Sequence, residues 1–344
     1  MGRISSFSVW VGGVLILLFQ GSPLQAAVTC GKTISEEVTL TENVTCDTAT
    51  ALIVEGPGGQ LNLGGHTVSC VGIENTIGIL LVGEKATLTH GTVANCQLGV
   101  VAADKGQHRI KEIISRDHAS AGFSTRGLGI SLGSHQNFFI SNYAENVTDG
   151  FNINGNENFL FNNTTVDSGR GFVVSQKKNT FTLNVAANND IGFFIHLGAE
   201  ENHVIKNLAD GNAFAGFEVE GNRNKLVKNR AIGNGRSMID VGFRIIDANE
   251  NFLAWNLSEK NIGIGFEIVG LFSRSERNVL RGNVAQNNEQ VGIALQLFAE
   301  NNTVIENTGK ENEIFDLQDA NPDCGGNHWS QNTFNTADPE SCIH

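Results

Sequence analysis

The stretch Asn179-Thr180-Phe181-Thr182-Leu183-Asn184-Val185-Ala186-Ala187-Asn188-Asn189-Asp190-Ile191-Gly192-Phe193-Phe194-Ile195 carries both registers that decide the fold. Its first register is Asn179/Asn184, two asparagines five residues apart. The same spacing recurs at Asn137/Asn142, Asn158/Asn163, Asn202/Asn207, Asn224/Asn229, Asn251/Asn256, Asn278/Asn283, Asn302/Asn307 and Asn327/Asn332, with leading asparagines 21 to 27 residues apart. Such a period marks a solenoid, in which no unit buries its apolar face alone and stacking supplies the core. Its second register is Gly192-Phe193-Phe194-Ile195, echoed at Gly150-Phe151, Gly171-Phe172, Gly216-Phe217, Gly242-Phe243, Gly265-Phe266 and Gly292-Ile293. Alternation of apolar and arbitrary residues over so few positions is strand periodicity.

Helical repeats need two amphipathic stretches of about ten residues per unit, and here Gly, Asn or Asp interrupts every few residues. Three short strands and tight turns per repeat fit the length. The expectation is an all-β, single-stranded parallel β-helix of about nine or more coils, in which each aligned position becomes a physical column at about 4.8 Å spacing. Phe151, Phe172, Phe193, Phe217, Phe243 and Phe266 should then stack as an internal aromatic column. The asparagines should form ladders at the corners, since Asn tolerates left-handed backbone and its amide bonds to the amide one coil away.

Residues 1–26 read as a secretory signal: Arg3, then the apolar run Val9 to Phe19, then a processing region ending at Ala26. The run is too short for a membrane span, so the mature chain is expected to be secreted, without stable membrane insertion and monomeric. Six cysteines fit export, and locality pairs them as Cys30-Cys46, Cys70-Cys96 and Cys324-Cys342, stapling the ends of the solenoid. Residues 27–128 are expected to form an N-terminal cap and first irregular coils, 129–318 the regular coils, and 319–344 a C-terminal cap. Of the Asn-x-Ser/Thr sequons, several fall on ladder asparagines, which leaves Asn43 as the glycosylation candidate.

The net charge of -13 argues against nucleic acid and against unaided binding of polyanions. No calcium-binding nonapeptide or EF-hand loop supports a calcium bridge, and two methionines and nine dispersed histidines make no soft-metal cluster, so neither a metal nor another cofactor is expected.

The phrase Leu61-Asn62-Leu63-Gly64-Gly65-His66-Thr67-Val68, with Gly91-Thr92-Val93, Gly99-Val100-Val101 and the coils above, resembles the right-handed β-helix repeat family of the pectin-lyase-like superfamily. That family includes the periplasmic copper-accessory β-helix proteins and the domain shared by carbohydrate-binding proteins and sugar hydrolases. The resemblance spans nearly all of the mature chain. It implies a right-handed coil and an extracellular polysaccharide or glycan as partner, while leaving open whether the protein is an enzyme.

Stacking the coils sets Asn152, Val173, Phe194, Glu218, Arg244, Glu267 and Ala294 in one outward row, with Asn154, His196 and Glu220 alongside. Glu218, Arg244, Glu267, His196 and Glu220 are the candidate catalytic set, because paired carboxyls serve glycoside chemistry. Phe194, Asn152 and Asn154 are the candidate sugar contacts, with Phe194 as an exposed platform. The same charges also suit a cross-strand ion-pair ladder, worth up to about 1 kcal/mol and needing no ligand. Arg116-Asp117-His118 is a secondary candidate, by analogy with an Asp-x-His arrangement in uronate-acting β-helix enzymes, although here no residue separates the two. A structural or adhesive extracellular protein is the alternative to a carbohydrate-binding or carbohydrate-processing one.

Overall fold

The computed structural model describes residues 28–125 and 133–343, and of the leading segment only backbone strands at Phe7–Val11, Val14–Leu18 and Leu24–Gln25. Apart from these strands, the expected signal segment lies outside the described residues. No described helix is long and apolar enough to cross a membrane.

The chain winds as a parallel β-solenoid of about 12 turns. One turn consists of Thr180–Thr182, Val185–Ala187 and Ile191–Ile195. Each strand pairs in parallel with its counterpart in the next turn: Phe181 with Val204, Ala186 with Ala209, Phe193 with Phe217. Pairing of this kind continues through the N-terminal part, where Leu52 pairs with Ile79 and Ile79 with Val100.

The phenylalanine column forms as expected and is one ring longer. Phe123, Phe151, Phe172, Phe193, Phe217, Phe243 and Phe266 stack with centroids 4.6–4.9 Å apart and planes within 12°. The asparagine columns also form. Asn229 Oδ1 accepts both the backbone N–H of Asn207 at 2.9 Å and its Nδ2 at 3.0 Å, while Asn229 Nδ2 donates to Val204 O and to Asn256 Oδ1. Each amide thus satisfies the coil before and the coil after, and no buried side-chain N or O among the described residues lacks a partner. A third column, Asn189, Asn212, Asn234, Asn261, Asn288 and Asn312, repeats the pattern.

Other residues end the columns. At the C-terminal end the carboxylate of Asp316 accepts Asn312 Nδ2, and that of Asp319 accepts Asn327 Nδ2 and Trp329 Nε1. Toward the N-terminus two histidines take the acceptor role. Ala86 N–H donates to His108 Nδ1 and Cys96 N–H to His118 Nδ1, each at 3.1 Å. With Nδ1 accepting, the proton sits on Nε2, which faces Ala103 O in His108 and Ser115 Oγ in His118. The three disulfides form as paired in the sequence: Cys30–Cys46 and Cys324–Cys342 lie near the ends, and Cys70–Cys96 joins turns further in.

Neutral buried histidines make the stack acid-sensitive. Burial lowers His118 from 6.5 to about 4, outweighing the opposing influence of its backbone partners and Asp117; burial also lowers His108. The unfolded chain therefore takes up protons first as the pH falls. Stability is complete above about 6.5 and declines toward pH 4, by about 3 kcal/mol for His118. Urea midpoints should fall between pH 7 and pH 5, and His118→Asn, which restores the amide acceptor used elsewhere, should flatten that slope. An unchanged midpoint in the parent would rule out the neutral buried ring.

Candidate functional site: an axial cleft on the outer sheet

The third strand of each turn is bent at its glycine, and the bend makes the site. Pairing passes from Ile191↔Ala215 to Phe193↔Phe217, skipping Gly192. A Cβ on Gly192 would lie 2.6 Å from Gly216 O and 3.1 Å from Ala209 Cβ, so only glycine fits. The residue before the glycine and the second residue after it both face outward, toward each other across the bend. Ala215, Val241, Ile264, Val291 and Ala294 consequently pack into an apolar cluster separate from the core, with Ile191 and Phe315 against it. These two columns meet along a crease, or cleft, parallel to the helix axis, where their apolar members pack against each other. Several of its floor residues are buried although they face away from the lumen: Val173 is 3%, Phe194 9% and Ala294 0% exposed.

Within the cleft the expected row is in direct register, Phe194 beside Glu218, Glu218 beside Arg244, Arg244 beside Glu267 and Glu267 beside Ala294. Arg244 Nε donates to Glu267 at 2.6 Å, its Nη1 lies 3.7 Å from Glu218, and its Nη2 donates to Ile239 O at 2.8 Å. That last bond ties the row to the turn before the strand, which the Asp240 carboxylate holds through the N–H groups of Arg236 and Ser237. Burial pushes the Glu218 carboxyl above the usual carboxylate range; Arg244 opposes the rise, and Glu220 and Glu267 add to it. Glu220 accepts the Leu197 N–H at 3.3 Å.

Phe194 differs from the expected bare platform. The Arg170 guanidinium lies 5.7 Å from its ring centroid and the exposed His196 ring meets it edge-on at 5.3 Å, so its face is already covered. Arg170 in turn grips Asp149 through Nε at 2.7 Å and Nη2 at 3.1 Å, and Asn152 Nδ2 donates to the same carboxylate at 2.6 Å. Asn154 donates to Asn152. The structure thus gathers Glu218, Arg244, Glu267, Glu220, His196 and Phe194 in one stretch of cleft, with Asn152 and Asn154 two turns before Phe194 and three before Glu218.

Asp149 and Arg170 were not among the candidates. Their signal was their place immediately before Gly150 and Gly171. Also unanticipated is a rim at the far end of these strands, where Leu197, Leu271, Phe272, Leu297 and Phe298 are exposed. Asp247 fixes it by accepting the N–H groups of Leu271, Phe272 and Ser273 at 2.7–3.0 Å. Burial pushes the Asp247 carboxyl up, but these donors outweigh it and hold the group below its usual range.

Arg116, Asp117 and His118 do not converge. Arg116 and Asp117 pair outside the coil at 3.2 Å, whereas His118 turns inward, 4% exposed, to the end of an asparagine column. Asp117, at φ 60°, breaks the alternation of the strand Arg109–Ser124 just before His118 and so sends the ring to the opposite face. Among the described residues no group of three or more His, Cys, Asp or Glu is arranged to hold a metal ion.

Residues 77–232 match the family model described as a right handed beta helix region. The fold is a right-handed parallel β-helix. Among solved structures this β-helix resembles the periplasmic alginate epimerase AlgG, with a TM-score of 0.58 at 12% identity over 86% of this chain and 76% of that one. It also resembles the catalytic unit of a GH87 alpha-1,3-glucanase from Streptomyces thermodiastaticus strain HF3-3, with a TM-score of 0.50 at 11% identity over 89% of this chain and 61% of that one. At such identities the likeness concerns the fold. No curated protein sequence matches the chain.

Proposed function

We propose that this β-helix binds an extracellular glycan laid along the axial cleft, and that Glu218 is the residue equipped to protonate a glycosidic oxygen. The observation that carries the reading is the Glu218-Arg244-Glu267 row on the cleft floor, where the Glu218 carboxyl is held toward its acid form. Two fold neighbours, by their names an alginate epimerase and an alpha-1,3-glucanase, act on polysaccharides, which favours the same ligand class. Three disulfides favour an oxidising compartment outside the cytosol.

An adhesive role without chemistry is the second reading. It is favoured by Arg244, which bridges both carboxylates as a purely structural ladder would. A glycan array combined with digestion of polysaccharides separates the two. Chemistry predicts release of sugar by the parent, lost by about 100-fold or more in Glu218→Gln with binding retained and thermal stability intact. Its rate should fall as the pH rises through a value above the ordinary carboxyl pKa of about 4.3. Binding without any release would leave the adhesive reading.

The rim supplies a separate check. Phe272 is 96% exposed on a turn anchored by Asp247, so Phe272→Ala should leave the melting temperature unchanged while weakening glycan binding by about fivefold or more. Undiminished affinity would remove the rim from the binding face.

A further inference from the structure

We infer that the cleft takes a glycan without acidic groups and rejects polyuronates, because both guanidinium groups on its floor are already closed by floor carboxylates. The inference rests on the glycan reading and adds the class of sugar.

A cleft that holds a chain of sugar carboxylates must offer cations whose donors are free to turn to the ligand. This one offers none on its floor. Arg170 spends Nε and Nη2 on Asp149 in a two-point contact, and its face lies over Phe194. Arg244 spends Nε on Glu267 and Nη2 on Ile239 O, with Nη1 toward Glu218. On the rim, Arg274 is committed to Glu300 at 2.8 Å.

The carboxylates, by contrast, are in excess. Asp149, Glu218, Glu220 and Glu267 stand against Arg170 and Arg244. Glu220 has only a 3.3 Å backbone bond, and Glu218 only the 3.7 Å approach of Arg244. A uronate laid here would meet these two unspent acids, two residues apart on one strand face, in a site where burial already penalises charge on Glu218. Hydroxyl groups meet no such penalty, since they can donate to Glu218 and Glu220 and accept from Asn152 and Asn154. The fold is shared with an alginate epimerase, but the floor chemistry is that of a site for an uncharged chain.

The test is calorimetric titration of the full chain with neutral 1,3-glucan, 1,4-glucan and mannan oligosaccharides, and with mannuronate and galacturonate oligosaccharides of the same length. At low ionic strength the best neutral ligand should bind at least about tenfold tighter than either uronate, and added salt should narrow the gap by screening the repulsion. Glu220→Lys should raise uronate affinity by about tenfold. Uronates binding as tightly as the neutral chains, with affinity that falls as salt rises, would overturn the inference while keeping the glycan reading. No binding of either class would overturn the glycan reading and this inference with it.

Discussion

Replacing Asn229 with alanine is expected to destabilise the β-helix by about 3–6 kcal/mol, more than any surface change. The substitution removes one amide and strips bonds on two sides: the Asn207 backbone N–H loses its acceptor, Asn207 Nδ2 keeps only Phe181 O, Val204 O loses this donor, and Asn256 Oδ1 loses the Asn229 Nδ2 donor. Buried groups left without partners cost about 1–3 kcal/mol each. Neighbouring Lys225, exposed on the adjoining strand, serves as the control, since its alanine variant should stay within about 0.5 kcal/mol of the parent. Urea midpoints of the two variants give the comparison. A loss below about 1 kcal/mol for Asn229→Ala would mean that the amide columns tolerate a gap, and that backbone pairing alone carries the corners.

Phe217→Ala is expected to cost about 3–5 kcal/mol, through lost burial and the cavity left between rings that cannot close on it. Phe217 stacks on Phe193 at 4.7 Å and on Phe243 at 4.6 Å, and both are fixed by their own neighbours in the column. Phe217→Leu, which fills most of the volume, should recover more than half of the loss. Because a solenoid opens turn by turn, hydrogen exchange should show the weakening concentrated in the turns next to residue 217 rather than spread evenly. Uniform loss of protection would indicate a single cooperative unit without local columns.

The columns were legible where spacing stays regular. Asn179/Asn184 and its counterparts hold a constant five-residue interval because the strand between them does not vary in length. The third asparagine column keeps the same five-residue interval after the second, at Asn189, Asn212, Asn234, Asn261, Asn288 and Asn312, so its spacing was equally legible; it is shorter than the other two, because Val147 occupies its place in an early turn. Ser168 also interrupts it, taking the place of an asparagine.

Half of the cleft was legible for a related reason. Strict alternation from Phe193 puts Phe194 outward, correctly, but puts Ile191 inward. The bend at Gly192 reverses that assignment and brings Ile191, and with it Asp149 and Arg170, onto the cleft floor. Burial of Phe194 could not be read from its outward position, because the residue covering it, Arg170, comes from the turn before. His118 turns inward because Asp117, at φ 60°, breaks the alternation of the strand and leaves Ser115 and His118 on the same buried face.

The glycan reading is tested most directly by where a sugar chain lies on the molecule. A crystal structure of the protein with the tightest-binding neutral oligosaccharide should show it parallel to the helix axis over Phe194, Glu218, Arg244 and Glu267, with Glu218 within hydrogen-bond reach of a glycosidic oxygen. An oligosaccharide seated on another sheet or at a corner, with this cleft holding only water, would contradict it.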